Sequence, residues 1–231
     1  MIVPALVDRK YALIRPYVAR AAEHVRDLVR GFCEEKGYAF IGRIKEADSL
    51  AEKIETGRFA RWSDLDDLYA CSIIVPTLAE EAGALSFLTE RFEVNEIRGR
   101  GTTLQNPEVF RFDATRFIGQ LRTDAIPAAS DELRSIRFEV QVRTAFEHAW
   151  SVTTRAFAYK ADRVDWRRVR LAAQLKAAVE QMDNLVAGFE GMVATISEQN
   201  WPEISAKKKI EEFFREQFES RGPAPEKLDH F

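Results

Sequence analysis

Residues Ile136 to Arg143 alternate without a break: Ile136, Phe138, Val140 and Val142 are apolar, and Arg137, Glu139, Gln141 and Arg143 between them are polar. A period of two sends successive side chains to opposite faces of a strand, so this segment belongs in a sheet with one face buried and an ordered polar row on the other. Such a sheet needs helices to cover its apolar face. Upstream, Ile14, Val18, Ala21, Val25, Leu28 and Phe32 recur at three- and four-residue steps as far as Gly37, which predicts a long amphipathic scaffold helix with Pro16 near its start. Tyr38 to Lys45 reads as a short strand, and Asp48 caps a helix from Ser49 to about Thr56 that Gly57 ends. The apolar run around Ser72 to Val75, stopped by Pro76, reads as a buried strand, and residues 78 to 91 as a helix. Glu93 to Ile97, Val109 to Phe112 and Phe117 to Arg122 are short pieces separated by turn formers, as expected of strands and loops of the same sheet. From Thr144 onward the pattern is helical, with breaks near Asp162, Pro202 and Gly222.

The expected architecture is therefore α+β: a mixed sheet of about five strands flanked by helices and closed by a C-terminal helical segment. The division follows the pattern, with a first domain over residues 1–165 and a helical extension over 166–231. The chain has 231 residues, 46% of them hydrophobic and 31% charged, which excludes a disordered or disulfide-scaffold class. Its 34 Lys+Arg stand against 37 Asp+Glu, a net charge of -3, so any basic site must be local rather than a field over the whole molecule. Cys33 and Cys71 lie inside apolar segments and read as buried thiols in a reducing compartment. The start, MIVPALVDRK, has no signal-peptide order, and no stretch is long and apolar enough for a membrane span, so a cytoplasmic protein with no membrane partner is expected.

Three constellations could carry chemistry. Arg43 and Lys45 follow Gly42 two residues apart at a strand end, and Ser49 and Lys53 are one turn apart on the next helix, so three cations and a hydroxyl converge. An arginine fork and lysine point charges suit a polyphosphate, whereas a solvated strand end would look the same. Asp64, Asp66 and Asp67 run into the buried strand; Asp67, nearest to it, is placed where phosphoryl-transfer enzymes keep a Mg²⁺ ligand, although turns and helix caps also use Asp. Glu139, Gln141 and Arg143 share the polar face of the alternating strand, which marks either open solvent or a site where a carboxylate holds a metal and orients a hydroxyl.

In order and spacing these pieces resemble the RelA/SpoT synthetase family, ATP pyrophosphokinases of the nucleotidyltransferase type. Arg43-Ile44-Lys45, Ser49 and Lys53 match the family's Arg-x-Lys-x-x-x-Ser-x-x-x-Lys motif, Asp67-Leu68 the start of Asp-Leu-x-Gly-x-Arg, and Glu139 to Thr144 the Glu-x-Gln-x-Arg-Thr motif. His148-Ala149-Trp150 and Tyr159-Lys160 match the His-Ala-Trp and Tyr-Lys pieces that short, single-domain members carry downstream of that motif. The resemblance implies ATP on Arg43, Lys45, Ser49 and Lys53, Mg²⁺ on Asp67 and Glu139, and Glu139 as the group that orients or deprotonates a ribose 3′-hydroxyl. It further implies an acceptor held by Phe117, Gln141, Arg143 and His148. The β,γ-pyrophosphate of ATP would pass to a guanosine or other purine nucleotide, a GDP/GTP-like acceptor, as in alarmone synthesis. Partners expected with it are ATP, the purine nucleotide and further copies of the chain as a homo-oligomer.

The departures are as specific. Ala70 and Ser72 replace the Gly and Arg that come after Asp-Leu in the family, so one phosphate-binding arginine is missing. The acceptor motif Gly-Tyr-x-Ser-x-His is not recognisable; Arg116 to Leu121 keeps an aromatic, Phe117, for stacking, but neither the Ser nor the His. Thr154-Arg155 stands where short members carry Glu-His. No His-Asp pair exists for an alarmone hydrolase: His24, on the scaffold helix, and His230, in a polar tail, read as structural or incidental, while His148 is balanced between acceptor contact and a satisfied structural role. Phe146, Trp150 and Phe157 fall at helical spacing and read as core. From Arg155 to Lys176 seven Lys+Arg face only Asp162 and Asp165, a local basic patch that fits a solvated helix or a phosphate-bearing partner such as tRNA. Two alternatives thus accompany the alarmone-type reading: a toxin that pyrophosphorylates the 3′ end of tRNA, and a catalytically retired nucleotide-binding or interaction module.

Overall fold

A computed structural model describes residues 5–46, 65–101, 110, 113–125, 130–155, 165–193 and 202–219. The contacts divide the chain into two units, Met1–Gly188 and Phe189–Phe231, so the boundary expected at 165/166 falls inside the first.

The first unit opens with α1, Ala5–Lys36, which carries Pro16 inside it. Its apolar stripe buries Val18, Ala22, Val25 and Val29 completely, and the helix ends at Gly37, whose φ of 71° is the left-handed turn that a side chain resists. Strands β1 (Ala39–Ile44) and β2 (Tyr69–Val75) come next. After a 3-10 turn at Leu78–Glu80 come helix α2 (Glu81–Arg91), β3 (Glu93–Arg98) and β4 (Thr115–Gln120). A one-turn helix, α3 (Asp131–Arg134), leads to β5 (Phe138–Thr144) and α4 (Ala145–Thr154). The helix α5, Trp166–Val193, completes the unit and runs past its boundary; α6, Pro202–Glu219, lies in the second unit. Of the strand expected at Val109 to Phe112 only Phe110 is described, exposed and in no strand; the helix expected at Ser49 to Thr56, and Phe157 and Tyr159-Lys160, lie outside the described residues.

The sheet order is β1-β2-β5-β4-β3. Only β2 and β5 are parallel; the other neighbours are antiparallel, which gives the mixed five-stranded sheet that the sequence led us to expect. Register fixes the two faces. Tyr69, Cys71 and Ile73 on β2 stand opposite Phe138, Val140 and Val142 on β5, all of them 3% exposed or less, and α1 packs on this side. Cys33 and Cys71 are both inside this core, where burial pushes the Cys33 thiol up to about 11 and raises that of Cys71 as well. Trp150 is also buried, as expected, and donates from Nε1 to the Ala172 carbonyl at 2.8 Å. Among the described residues no helix is long and apolar enough to cross a membrane.

Candidate active site

The second face of the sheet carries the polar residues. Glu139 is aligned with Ala70 on β2 and Ile118 on β4, and Ala70 in turn with Arg43 on β1, so Arg43, Ala70, Glu139 and Ile118 form one row across four strands. The next row is Ile41, Ser72, Gln141 and Arg116. Side chains directly opposite one another project to the same side of a sheet, so each row shares the face of Glu139.

Glu139 is 7% exposed, and the Gln141 amide donates to its Oε1. The Gln141 carbonyl oxygen accepts from Arg143 Nη2 at 2.8 Å; the same nitrogen reaches Ser72 Oγ at 2.5 Å, and Nη1 reaches Ser151 Oγ of α4 at 3.2 Å. Three alternate residues of one strand are thereby locked into a single hydrogen-bonded row, which fixes the carboxylate without a flexible loop. Burial lowers the Arg143 pKa from its ordinary value, yet the group starts so high that it keeps its charge at neutral pH. Position 72, where the resemblance leads one to expect an arginine, is thus the seat of a serine that accepts from Arg143.

At the β1 end the Lys45 backbone is pinned from two sides: its N–H donates to the Leu68 carbonyl at 2.9 Å, and Tyr11 Oη donates to its carbonyl at 2.7 Å. Its ammonium forms an ion pair with Asp67, both side chains being about one-eighth exposed. Asp67 lies three residues before Ala70, the partner of Glu139 in the parallel register, so both carboxylates are at the leading ends of neighbouring strands. Arg43 is exposed in the same row as Glu139. Ser49 and Lys53 lie outside the described residues.

Mg²⁺ takes hard oxygen ligands and commonly keeps one or two carboxylates together with substrate phosphates and water. Asp67 and Glu139, at the leading ends of β2 and β5, are the carboxylates that could join such a shell, and the Lys45 ammonium is ion-paired with Asp67. Among the described residues no group of three or more His, Cys, Asp or Glu could hold a metal by itself.

Two expected acceptor residues fare differently. His148, on α4, is half-buried; burial and the neighbouring Arg143 cation hold its pKa below the usual value, so it is neutral at pH 7. Phe117 is corrected: it is 0% exposed and faces the core, aligned with Val140, its ring 6.4 Å from those of both Phe92 and Phe138. No base can stack on it. Gly119 makes room for that arrangement, since a Cβ there would come within 2.9 Å of the Glu93 carbonyl oxygen and collide with the Phe117 ring.

Sequence reasoning missed a buried ionic cluster behind the site. Glu147, 0% exposed, pairs with Arg100 and, at 3.1 Å, with Lys176 of α5, itself 1% exposed. Arg100 also binds Glu81 at 2.9 Å, and Thr115 donates to the same carboxylate. Burial alone would raise the Glu147 pKa, but Arg100 and Lys176 outweigh it and hold the carboxyl below its usual value. Thr144 and Glu147 cap α4 reciprocally, and Thr144 Oγ1 donates to Asp183 of α5 at 3.0 Å. The Thr-x-x-Glu spacing of a capping box was the legible signal for Glu147. Lys176, counted in the basic patch, is therefore not part of any basic surface; Arg155, Arg167, Arg168 and Arg170 are exposed.

The region found in RelA / SpoT proteins matches residues 42–164 of the chain. The fold is similar to that of small alarmone synthetase 1 from Bacillus subtilis, with a TM-score of 0.60 at 13% identity over 82% of this chain and 98% of that one. The same synthetase bound to its product pppGpp aligns with a TM-score of 0.57 at 15% identity, over 81% and 97%. A GTP pyrophosphokinase family protein from Streptococcus pneumoniae gives 0.59 at 16%, over 84% and 100%. No curated protein sequence matches the chain.

Proposed function

The chain belongs to the RelA/SpoT family, and on that premise we propose that it is an ATP pyrophosphokinase that transfers the β,γ-pyrophosphate of ATP to the 3′-hydroxyl of a purine nucleotide. The observation that carries this reading is Glu139: a buried carboxylate, fixed by Gln141 in the middle of the polar face, between the Arg43 and Lys45 cations on one flank and Arg143 on its own strand. The triphosphate lies against Arg43, Lys45, Ser49 and Lys53, and Lys45 exchanges Asp67 for phosphate oxygens when ATP enters. Mg²⁺ held by Asp67 and Glu139 would neutralise charge on the transferred group. Glu139 accepts the proton of the 3′-hydroxyl as its oxygen bonds to the β-phosphorus; the bond from that phosphorus to the α,β-bridging oxygen breaks, and AMP leaves. Gln141, Arg143 and His148 surround the acceptor. A small alarmone synthetase that aligns with this chain holds pppGpp, a product of that type, which supports a nucleotide acceptor. Localisation in the cytoplasm fits the same reading. Incubation with γ-labelled ATP, guanosine and adenosine nucleotides and total tRNA tests it: the label should appear in a mononucleotide, with AMP in equal amount.

A second reading, transfer to the 3′ end of tRNA, is favoured by exposed Arg167, Arg168 and Arg170 at the start of α5. A tRNA displaces counter-ions along its backbone, so that reaction alone should fall steeply with salt and fail in the triple alanine variant. A retired module is disfavoured by the retention of both carboxylates. The homo-oligomer reading rests on α5, where Leu171, Leu175, Ala178, Met182 and Leu185 are exposed at alternating four- and three-residue steps between uncharged Gln174 and Gln181, a seam that a second copy could cover. Sedimentation of Leu175→Glu with Leu185→Glu against the wild type tests it.

A further inference from the structure

With Phe117 in the core, the acceptor needs another anchor, and the register supplies one. Arg116 stands directly opposite Gln141 on β5, and Ser72 stands opposite the same Gln141 from β2. All three share the face of Glu139. The cation missing at position 72 therefore has a counterpart in the same row on β4, two strands away, about 10 Å across the sheet. The other arginines near it are engaged. Arg98 is ion-paired with Glu96 at 2.7 Å and Asp66 at 3.7 Å, Arg100 with Glu81 and Glu147, and the Arg143 guanidinium is turned to Ser72, Gln141 and Ser151. Arg116 is half-buried, and its guanidinium makes no hydrogen bond or ion pair with any described residue. A planar guanidinium in that setting is a ready partner for a phosphate.

We propose that Arg116 binds the 5′-phosphate of a mononucleotide acceptor, which lies across β5 and β4 with its 3′-hydroxyl at Glu139. The inference rests on the pyrophosphokinase reading above and specifies the part of the substrate that the lost acceptor motif leaves unassigned. It also explains how two polyphosphates are kept apart. Arg43 is on β1, three strand spacings or about 14 Å from β4, so donor and acceptor phosphates sit on opposite flanks of the carboxylate rather than competing for one cluster.

Binding of guanosine, GMP and GDP is measured by calorimetry on the full chain with Mg²⁺ and a non-hydrolysable ATP analogue present. In the wild type, affinity should rise about 10-fold or more from guanosine to GDP, the worth of one charge-assisted hydrogen bond. Arg116→Gln should flatten that rise while leaving guanosine affinity and the melting shift given by the ATP analogue unchanged; Arg116→Lys should restore part of it. The proposal is overturned by a wild type with no rise or no mononucleotide binding, by an Arg116→Gln protein that keeps the rise, or by one that loses guanosine equally, which would make Arg116 a base-stacking residue. A rise that depends on Arg116 in a protein that transfers no label refutes the pyrophosphokinase reading alone.

Discussion

Replacing Lys176 by Met removes one charge from the buried cluster while keeping most of the side-chain volume. Lys176 Nζ is 3.1 Å from Glu147 Oε1 and 3.4 Å from Glu180, with Lys176 and Glu147 both essentially sealed from water. Breaking a buried ion pair by removing one partner costs about 3–5 kcal/mol, because the remaining charge is stranded. Glu147 keeps Arg100, so we expect a cost at or just below the lower end of that range, about 2–3 kcal/mol. At about 2–4 °C per kcal/mol for a domain of this size, the melting temperature should fall by about 5–10 °C at pH 7. Adding Glu147→Gln to Lys176→Met should cost less than the sum of the two single changes, by about 1 kcal/mol or more, because the two groups share one interaction. Thermal and urea unfolding measure both. A loss below about 2 °C, or additive single changes, would show that Lys176 does not anchor α5 to the β5–α4 corner, and the reasoning would fail.

The site itself gives three further expected outcomes. Asp67→Asn and Glu139→Gln should each lower pyrophosphate transfer by about 100-fold or more with the fold intact, read from initial rates at saturating Mg²⁺; near-wild-type rates would strike that carboxylate from the mechanism. ATP with Mg²⁺ should raise the melting temperature far more than AMP does, and Lys45→Ala should abolish the difference; equal shifts in the wild type would make the Arg43 and Lys45 cluster an ordinary surface. His148 has a folded pKa below its unfolded value of about 6.5, so the unfolded chain binds the proton first and the melting temperature should drop as pH is lowered from about 7.5 to about 5.5. That drop should shrink in His148→Gln, and an unchanged pH profile would contradict the environment seen for the ring.

The strands that carry the central chemistry were legible because burial on one face writes a period of two into them. From Phe138 to Arg143 that period runs unbroken, and the structure lays apolar and polar residues on opposite faces as expected. Helix α1 was legible for the equivalent reason at period 3.6, down to its end at Gly37. The cluster of Arg100, Glu147, Lys176 and Asp183 left almost no such trace. A buried charge is stabilised by partners far apart in sequence, 47 residues from Arg100 to Glu147 and 29 from Glu147 to Lys176, so nothing local separates it from a solvated helix residue. For the same reason α5 read as an appendage: its domain-facing stripe, Ala172, Lys176, Val179 and Asp183, is half charged, and packing through ion pairs does not look apolar.

The misassignment of Phe117 has a different origin. A strand's phase is decided by which parity is apolar, and in β4 both parities are buried: Phe117 at 0% on the core face and Ile118 at 2% on the face of Glu139. With Gly119 contributing no side chain, the segment Arg116-Phe117-Ile118-Gly119-Gln120 offers no alternation from which to read a face, and an aromatic in a strand beside a nucleotide site then invites a stacking role. Only the pairing with β5 resolves it. Val140 is on the core face by the unbroken alternation of its own strand, Phe117 is its partner, and the residues one step to either side, Arg116 and Ile118, must therefore face Glu139. Register thus converts the legible strand into an assignment for the illegible one, and it is that step, taken one strand further than the sequence allows, that brings Arg116 to the acceptor side of the site.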